Sequence, residues 1–129
     1  RFLAGYFSHA PNVHAHLNDG QSLPFAEQAW LDLVFSANTF VELKLGVIWL
    51  YAREFARALK PGGHAVVDYV DPTTREGWEH LMSQPADLAS VYTFHAPGVI
   101  ERVFQCAGLT IERRYQVGKS TFVVAQRRA

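Results

Sequence analysis

Two short polar segments close apolar runs in this chain, and their residue types suit ligand binding. Asn18-Asp19-Gly20 ends the alternating run 13–17, and Ser36-Ala37-Asn38 ends the near-continuous apolar run 30–35. Ligands in open α/β sheets bind outside the carboxyl ends of strands, so both segments are candidates for a site. Asn-Asp-Gly is equally good turn chemistry, and Ser-Ala-Asn serves as a plain strand terminus. Asp71 follows a second apolar run, where it shapes a pocket or simply opens an Asp-Pro turn. His95 precedes a helix and could act as a general base, although a surface imidazole accounts for it better. His14 and His16 share one strand face, but two ligands are too few for a metal centre. Trp78, Met82, Tyr92 and Phe94 could line an apolar pocket; core packing of an inserted segment explains them better. Asp32 reads as a structural residue at a strand start, and Cys106 as a small core residue. Gly62-Gly63 precedes a strand rather than a helix, which makes it a turn and not a phosphate cradle.

The elements that position these residues follow from periodicity. Val13, Ala15 and Leu17 alternate with His14, His16 and Asn18, which predicts a strand with unlike faces. Residues 30–35 predict a strand covered on both faces. Leu45, Ile48, Tyr51 or Ala52, Phe55 and Leu59 recur at helical spacing and predict a helix over 44–59. Glu54 and Arg57 lie off that stripe, three apart, and can pair. Pro61 stops the helix, Gly62-Gly63 turns the chain, and 65–70 predicts a second buried strand. Strand, helix and strand make one βαβ unit of a parallel sheet.

Outside this unit, 1–8 reads as the end of a helix and 75–83 as a short helix, with 84–94 irregular. A helix is predicted over 96–107, with Pro97 in its first turn and Gly108 as its cap. Val99, Ile100, Val103, Phe104 and Ala107 face inward on it. Residues 109–115 and 121–125 alternate around Val117-Gly118-Lys119, which predicts an antiparallel hairpin.

Composition narrows the function classes. A chain of 129 residues with 49% hydrophobic residues suits one folded domain. Formal net charge is zero, so no basic excess points to nucleic acid or an anionic membrane. The single cysteine excludes an intramolecular disulfide and suggests a reducing, cytoplasmic setting. No apolar run approaches the ~18–20 residues that cross a bilayer, and no signal peptide is visible. The first residue is Arg1 rather than Met.

The order of several motifs carries a family resemblance. Asn18-Asp19-Gly20 with Leu23-Pro24-Phe25, then 31–36 with its central Asp32, then Phe40-Val41-Glu42-Leu43, then Leu59-Lys60-Pro61-Gly62-Gly63, followed by a hairpin, resembles the class I S-adenosylmethionine-dependent methyltransferases. The resemblance implies an α/β, Rossmann-like sheet whose last strand is antiparallel. It makes 13–17 the third strand, 30–35 the fourth, 65–70 the fifth and the hairpin the last two. It implies that Asp19 accepts from the adenine amine and that the Gly20 N–H meets a ring nitrogen. Ser36, Ala37 and Asn38 would line the methionine end, with backbone carbonyls holding the ammonium. Phe40, Asp71, His95 and the segment 71–95 would face a small-molecule acceptor. Thr39-Phe40 follows Asn38 where base-methylating relatives carry Pro-Pro-Tyr, which disfavours nucleic-acid methylation. No metal is implied.

The chain departs from the family pattern in one large respect. Members carry a glycine-rich loop after the first strand and a ribose-binding acid after the second, both ahead of the third strand. Only about twelve residues precede 13–17 here, and no Gly-x-Gly occurs. The expectation is an N-terminally truncated domain, the C-terminal two-thirds of a methyltransferase, lacking the first two strands. Strand 30–35 is then left with an unpaired edge, open to a second copy or another polypeptide. Such a chain binds S-adenosylmethionine weakly or not at all. The rival readings are a non-catalytic remnant or sheet-completing module and, less well supported, a nicotinamide-dependent oxidoreductase fold.

Overall fold

The computed structural model describes residues 2–129. Its elements are α1 (Phe2–Tyr6), β1 (Leu31–Phe35), a 3-10 turn (Phe40–Glu42), α2 (Leu45–Ala58), β2 (Leu59–Tyr69), α3 (Arg75–Met82), α4 (Pro97–Ala107), β3 (Leu109–Val117) and β4 (Ser120–Arg127). The sheet order is β1-β2-β4-β3. β1 runs parallel to β2, whereas β4 runs antiparallel to both β2 and β3. This is the predicted βαβ unit with its terminal hairpin, and the sheet is that of a truncated Rossmann-like domain.

One face of the sheet is the core. Ile48, Tyr51 and Phe55 from α2 and Ile100 and Phe104 from α4 pack on Ala65, Val67, Tyr69, Val123 and Ala125. The apolar stripe of α2 is therefore the face that turns inward. α4 starts with Pro97 at N1 and ends at Gly108, whose φ of +95° is the left-handed cap that glycine adopts without a steric penalty. Cys106 is exposed rather than in the core, because α4 buries the Ile100–Phe104 stripe instead. Trp78 and Met82, four apart, lie exposed on α3 and do not join the core.

The other sheet face is largely bare. Leu33 and Phe35 are 57% and 65% exposed, and β1 is an edge strand. A strand covered on both faces was expected here. Among the described residues the helices α2 and α4 lie on one side only, so the second face has no cover. The predicted strand over 13–17 does not form, and Leu17 is 93% exposed. Its alternation is genuine, but an isolated strand gains nothing without a neighbour to accept its backbone hydrogen bonds.

Lys60-Pro61-Gly62-Gly63 forms a broad bulge rather than a separate turn. Pairing passes from Leu31 opposite Leu59 to Leu33 opposite His64, two residues on along β1 but five along β2. Gly62 takes φ of +81° there. Gly63 lies so close to the Lys60 and Asp32 carbonyls that a side chain would crowd them. Lys60 pairs with Asp32 across the bulge at 2.8 Å. No helix among the described residues is long and apolar enough to cross a membrane.

Candidate functional site

The loop after β1 is built around a buried carboxylate. The Ser36 N–H still donates to the Val66 carbonyl, completing the strand ladder. Asn38 then enters the left-handed region with φ of +59°, where asparagine is one of the few tolerated side chains. Its N–H donates to both oxygens of Asp68, at 3.0 and 3.2 Å. Asp68 is fully buried and also accepts from the Ser120 hydroxyl at 2.9 Å. It thereby joins the tips of β1, β2 and β4. All peptides are trans, so an Asn38 N–H aimed at Asp68 turns the Ala37 carbonyl away from it. Ala37 and Asn38 are exposed. That leaves a carbonyl free to accept from an ammonium group. Sequence reasoning missed Asp68 and Ser120, although an acid inside an otherwise apolar run was a visible signal.

The Asp19 loop is closed on itself. The Asp19 carboxylate accepts from the Gln21 and Ser22 N–H groups and from the Ser22 hydroxyl. These bonds, the serine hydroxyl first, hold its pKa below the usual carboxylate value. The Gly20 N–H donates to the Asn18 side chain. The Gly20 N–H that would meet an adenine ring nitrogen is thus taken within the turn, and the Asp19 carboxylate already accepts three bonds there.

α2 anchors this loop. The Tyr51 hydroxyl donates to Asn18 at 3.0 Å, and Glu54 accepts from the Leu23 N–H at 2.9 Å. Arg57 bonds Glu54 at 2.8 Å, as the spacing predicted, and donates to the Leu23 and Ala26 carbonyls. A groove of about 420 Å³ runs between the loop and α2, lined by Asp19, Ser22, Leu50, Arg53, Glu54 and Arg57. Residues 36–38 do not line it.

The acceptor-side residues have different fates. Phe40 is buried and stacks on Phe55, with ring centroids 5.8 Å apart, so its ring belongs to the core. Asp71 is buried in an Asp-Pro turn, where its carboxylate accepts from the Thr73 N–H and hydroxyl. His95 is half-buried, and its backbone N–H donates to the Val70 carbonyl at 3.0 Å. Thr93 donates to the carbonyls of Val41 and Leu43. Residues 93–95 therefore strap the β1 loop to the tip of β2, bringing Phe40, Asp71 and His95 into one region. A shallow groove of about 550 Å³ opens beside it, between Asp71, Thr74, Pro97, Glu101, Arg114 and Tyr115. The Tyr69 side chain is buried, and burial raises the pKa of its hydroxyl. Among the described residues, no cluster of three metal-ligating side chains exists, and His16 instead stacks on Phe25.

Burial holds the His95 pKa below its ordinary 6.5. The unfolded chain then takes up that proton first as pH falls. Stability from this group is full above about pH 6.5 and declines as pH drops toward the folded value. The denaturation midpoint should fall between about pH 7.5 and about pH 5.5, and His95→Gln should reduce the fall. An unchanged pH response in the variant would exclude His95 as the source. Glu54, held low chiefly by its Arg57 hydrogen bonds, acts in a separate window below its ordinary 4.5.

Comparison with known proteins gives this architecture a family context. A family model described as "Methyltransferase domain" matches residues 4–67. The chain has the class I S-adenosylmethionine-dependent methyltransferase fold. A possible exported protein from Bordetella parapertussis superposes with a TM-score of 0.74 at 18% identity, covering 99% of this chain and 48% of that one. A SAM-dependent methyltransferase from Thermotoga maritima, described as a possible histamine N-methyltransferase, gives 0.71 at 15% identity, covering 96% and 69%. An O-methyltransferase family protein from Burkholderia thailandensis gives 0.70 at 16% identity, covering 98% and 39%. The chain thus spans about half the length of the Bordetella protein. The description of the Thermotoga protein names S-adenosylmethionine as the cofactor of that protein. No curated protein matches the sequence.

Proposed function

We propose that the chain is the carboxyl-terminal part of a methyltransferase that transfers a methyl group from S-adenosylmethionine to a small-molecule acceptor. One observation carries the reading. Asp68 holds the Asn38 N–H, and the Ala37 carbonyl faces away as an acceptor for the ammonium of a methionine-like group. S-adenosylmethionine, when bound, supplies a methyl carbon on a positively charged sulfur. Ser36, Ala37 and Asn38 hold its amino-acid end. Asp19 and Gly20 read adenine only after the 18–22 turn releases Ser22 and Asn18, which weakens that half of the site. Phe40 supports the loop from the core, and Asp71 and His95 frame the acceptor side. Methyl transfer asks mainly for positioning and exclusion of water, so these residues need no strong base among them. Zero net charge favours a small acceptor over nucleic acid, and the lone Cys106 suits a reducing compartment such as the cytoplasm.

The bare face supports a second reading, a non-catalytic module that completes its sheet with another polypeptide or a second copy. Leu33 and Phe35 are exposed on an edge strand, an arrangement that natural proteins ordinarily cover. Titration calorimetry separates the two readings. The isolated chain should bind S-adenosylmethionine no tighter than ~1 mM, and micromolar binding would refute an incomplete site. The longer reading frame that contains the chain should bind in the micromolar range and transfer methyl groups. If that protein binds no S-adenosylmethionine, the enzyme reading fails and the module remains.

A further inference from the structure

The hairpin turn between β3 and β4 carries a lysine that no carboxylate neutralises. Lys119 is half-buried, and its ammonium lies 5.6 Å from the centroid of the Tyr92 ring. Among the described residues, no Asp or Glu lies within ion-pair distance of it. The acids of α3 are engaged elsewhere, since Glu76 and Glu79 both meet Arg75. An ammonium withdrawn partly from water without a counter-ion is unfavourable, and an aromatic face compensates only in part.

The surroundings of this cation are aromatic and uncharged. The His80 ring meets Tyr92 edge-on at 4.6 Å and lies 6.2 Å from Phe94. Burial, reinforced by the charge of Lys119, holds the His80 pKa below its ordinary 6.5, so the imidazole is neutral near pH 7 and keeps one N–H to donate. The Gln84 amide donates to the His80 carbonyl at 2.8 Å and lies 3.2 Å from the imidazole Nε2 and 3.4 Å from Nδ1, so it can satisfy one ring nitrogen and leave the other to a ligand. Its carbonyl oxygen is buried without a partner. The cluster stands beside the loop proposed to hold the methyl donor. Ser120, next to Lys119, donates to Asp68, and Phe94 bridges to Val70 at the end of β2.

We propose that Lys119, His80 and Tyr92 form a binding site for the carboxylate of an aromatic acid. The carboxylate takes the open side of the Lys119 ammonium and accepts the imidazole N–H, and its ring lies against Tyr92 and Phe94. Charge-assisted hydrogen bonds to this half-buried cation supply the selectivity. That this acid is the methyl acceptor rests on the methyltransferase reading; the binding does not.

The test is an NMR titration of the isotopically labelled chain with benzoate and with neutral benzamide, in the absence of any cofactor. Benzoate should saturably shift the Lys119, Tyr92 and His80 signals and bind at least about tenfold tighter than benzamide, the scale of one charge-assisted contact. Lys119→Gln should abolish that preference, and Lys119→Arg should keep it. Equal binding of the two probes, shifts confined to other residues, or an undiminished preference in Lys119→Gln would each overturn the proposal. With the cofactor omitted, a chain unable to bind S-adenosylmethionine leaves the result unaffected.

Discussion

Gly77→Ala should strongly destabilise the acceptor side of the molecule, although the same change in most helices is stabilising. Gly77 sits in the first turn of α3, packed against the Asp71-Pro72 turn. A Cβ there would stand 1.9 Å from the Asp71 carbonyl oxygen and 2.7 Å from its carbon. Both are backbone atoms, so no rotamer change relieves the clash. The same space holds the helix cap: the Thr74 hydroxyl accepts from the Gly77 N–H and donates to the Asp71 carbonyl, both at 2.9 Å. Alanine therefore forces α3 away from the end of β2 and breaks the cap. Overpacking of this kind costs about 1–3 kcal/mol or more, and a lost N-cap adds about 1 kcal/mol. Gly46→Ala is the control. It lies in α2, where an added Cβ would meet nothing within 4 Å, and should gain about 0.5–1 kcal/mol. Denaturant melts of both variants decide the matter. A Gly77→Ala protein as stable as the parent would show that the close approach of α3 to β2 is not maintained in solution.

Asp68→Ala should be the most damaging change on the donor side. Asp68 is fully buried, and its removal leaves the Asn38 N–H and the Ser120 hydroxyl without partners. The buried Ser120 hydroxyl left unpaired costs about 1–3 kcal/mol, and the Asn38 N–H, on an exposed residue, costs less because water can reach it. Asn38 also loses the bond that offsets its left-handed backbone. Asp68→Asn keeps a carbonyl for Asn38 and an amide that Ser120 can accept, so about 1 kcal/mol should be lost. Hydrogen exchange at the Asn38 amide reports the same contact locally. It should accelerate strongly in Asp68→Ala and modestly in Asp68→Asn. An Asn38 amide that exchanges equally fast in both variants and the parent would remove Asp68 from its role in shaping the loop.

Much of the architecture was legible from the chain because its signals are local. The stripe of Ile48, Tyr51 and Phe55 repeats at 3.6 residues, and a helix needs no distant partner for its backbone bonds. Glu54 and Arg57 pair because they are neighbours on one helix surface. Pro97 and Gly108 mark the ends of α4 through their own backbone preferences. The hairpin joins adjacent segments through the two-residue turn Gly118-Lys119, so its pairing is also near in sequence.

The misreadings share one cause, which is dependence on what lies across space. Residues 13–17 alternate like a strand yet find no neighbouring strand. Leu33 and Phe35 look like core residues but face the side that no described helix covers. Phe40, expected toward an acceptor, fills the core because α2 closes over it.

The amino-acid order by itself determined the βαβ unit, the capped helices and the hairpin, and so the fold class. Tertiary structure alone decided that Asp68 clamps Asn38 and Ser120, that the Asp19 loop spends its hydrogen bonds internally, and that Lys119 stands against Tyr92 without a counter-ion. Periodicity and caps act through backbone bonds a few residues long. Hydrogen bonds and charges between distant segments exist only once packing has removed water and fixed which groups meet.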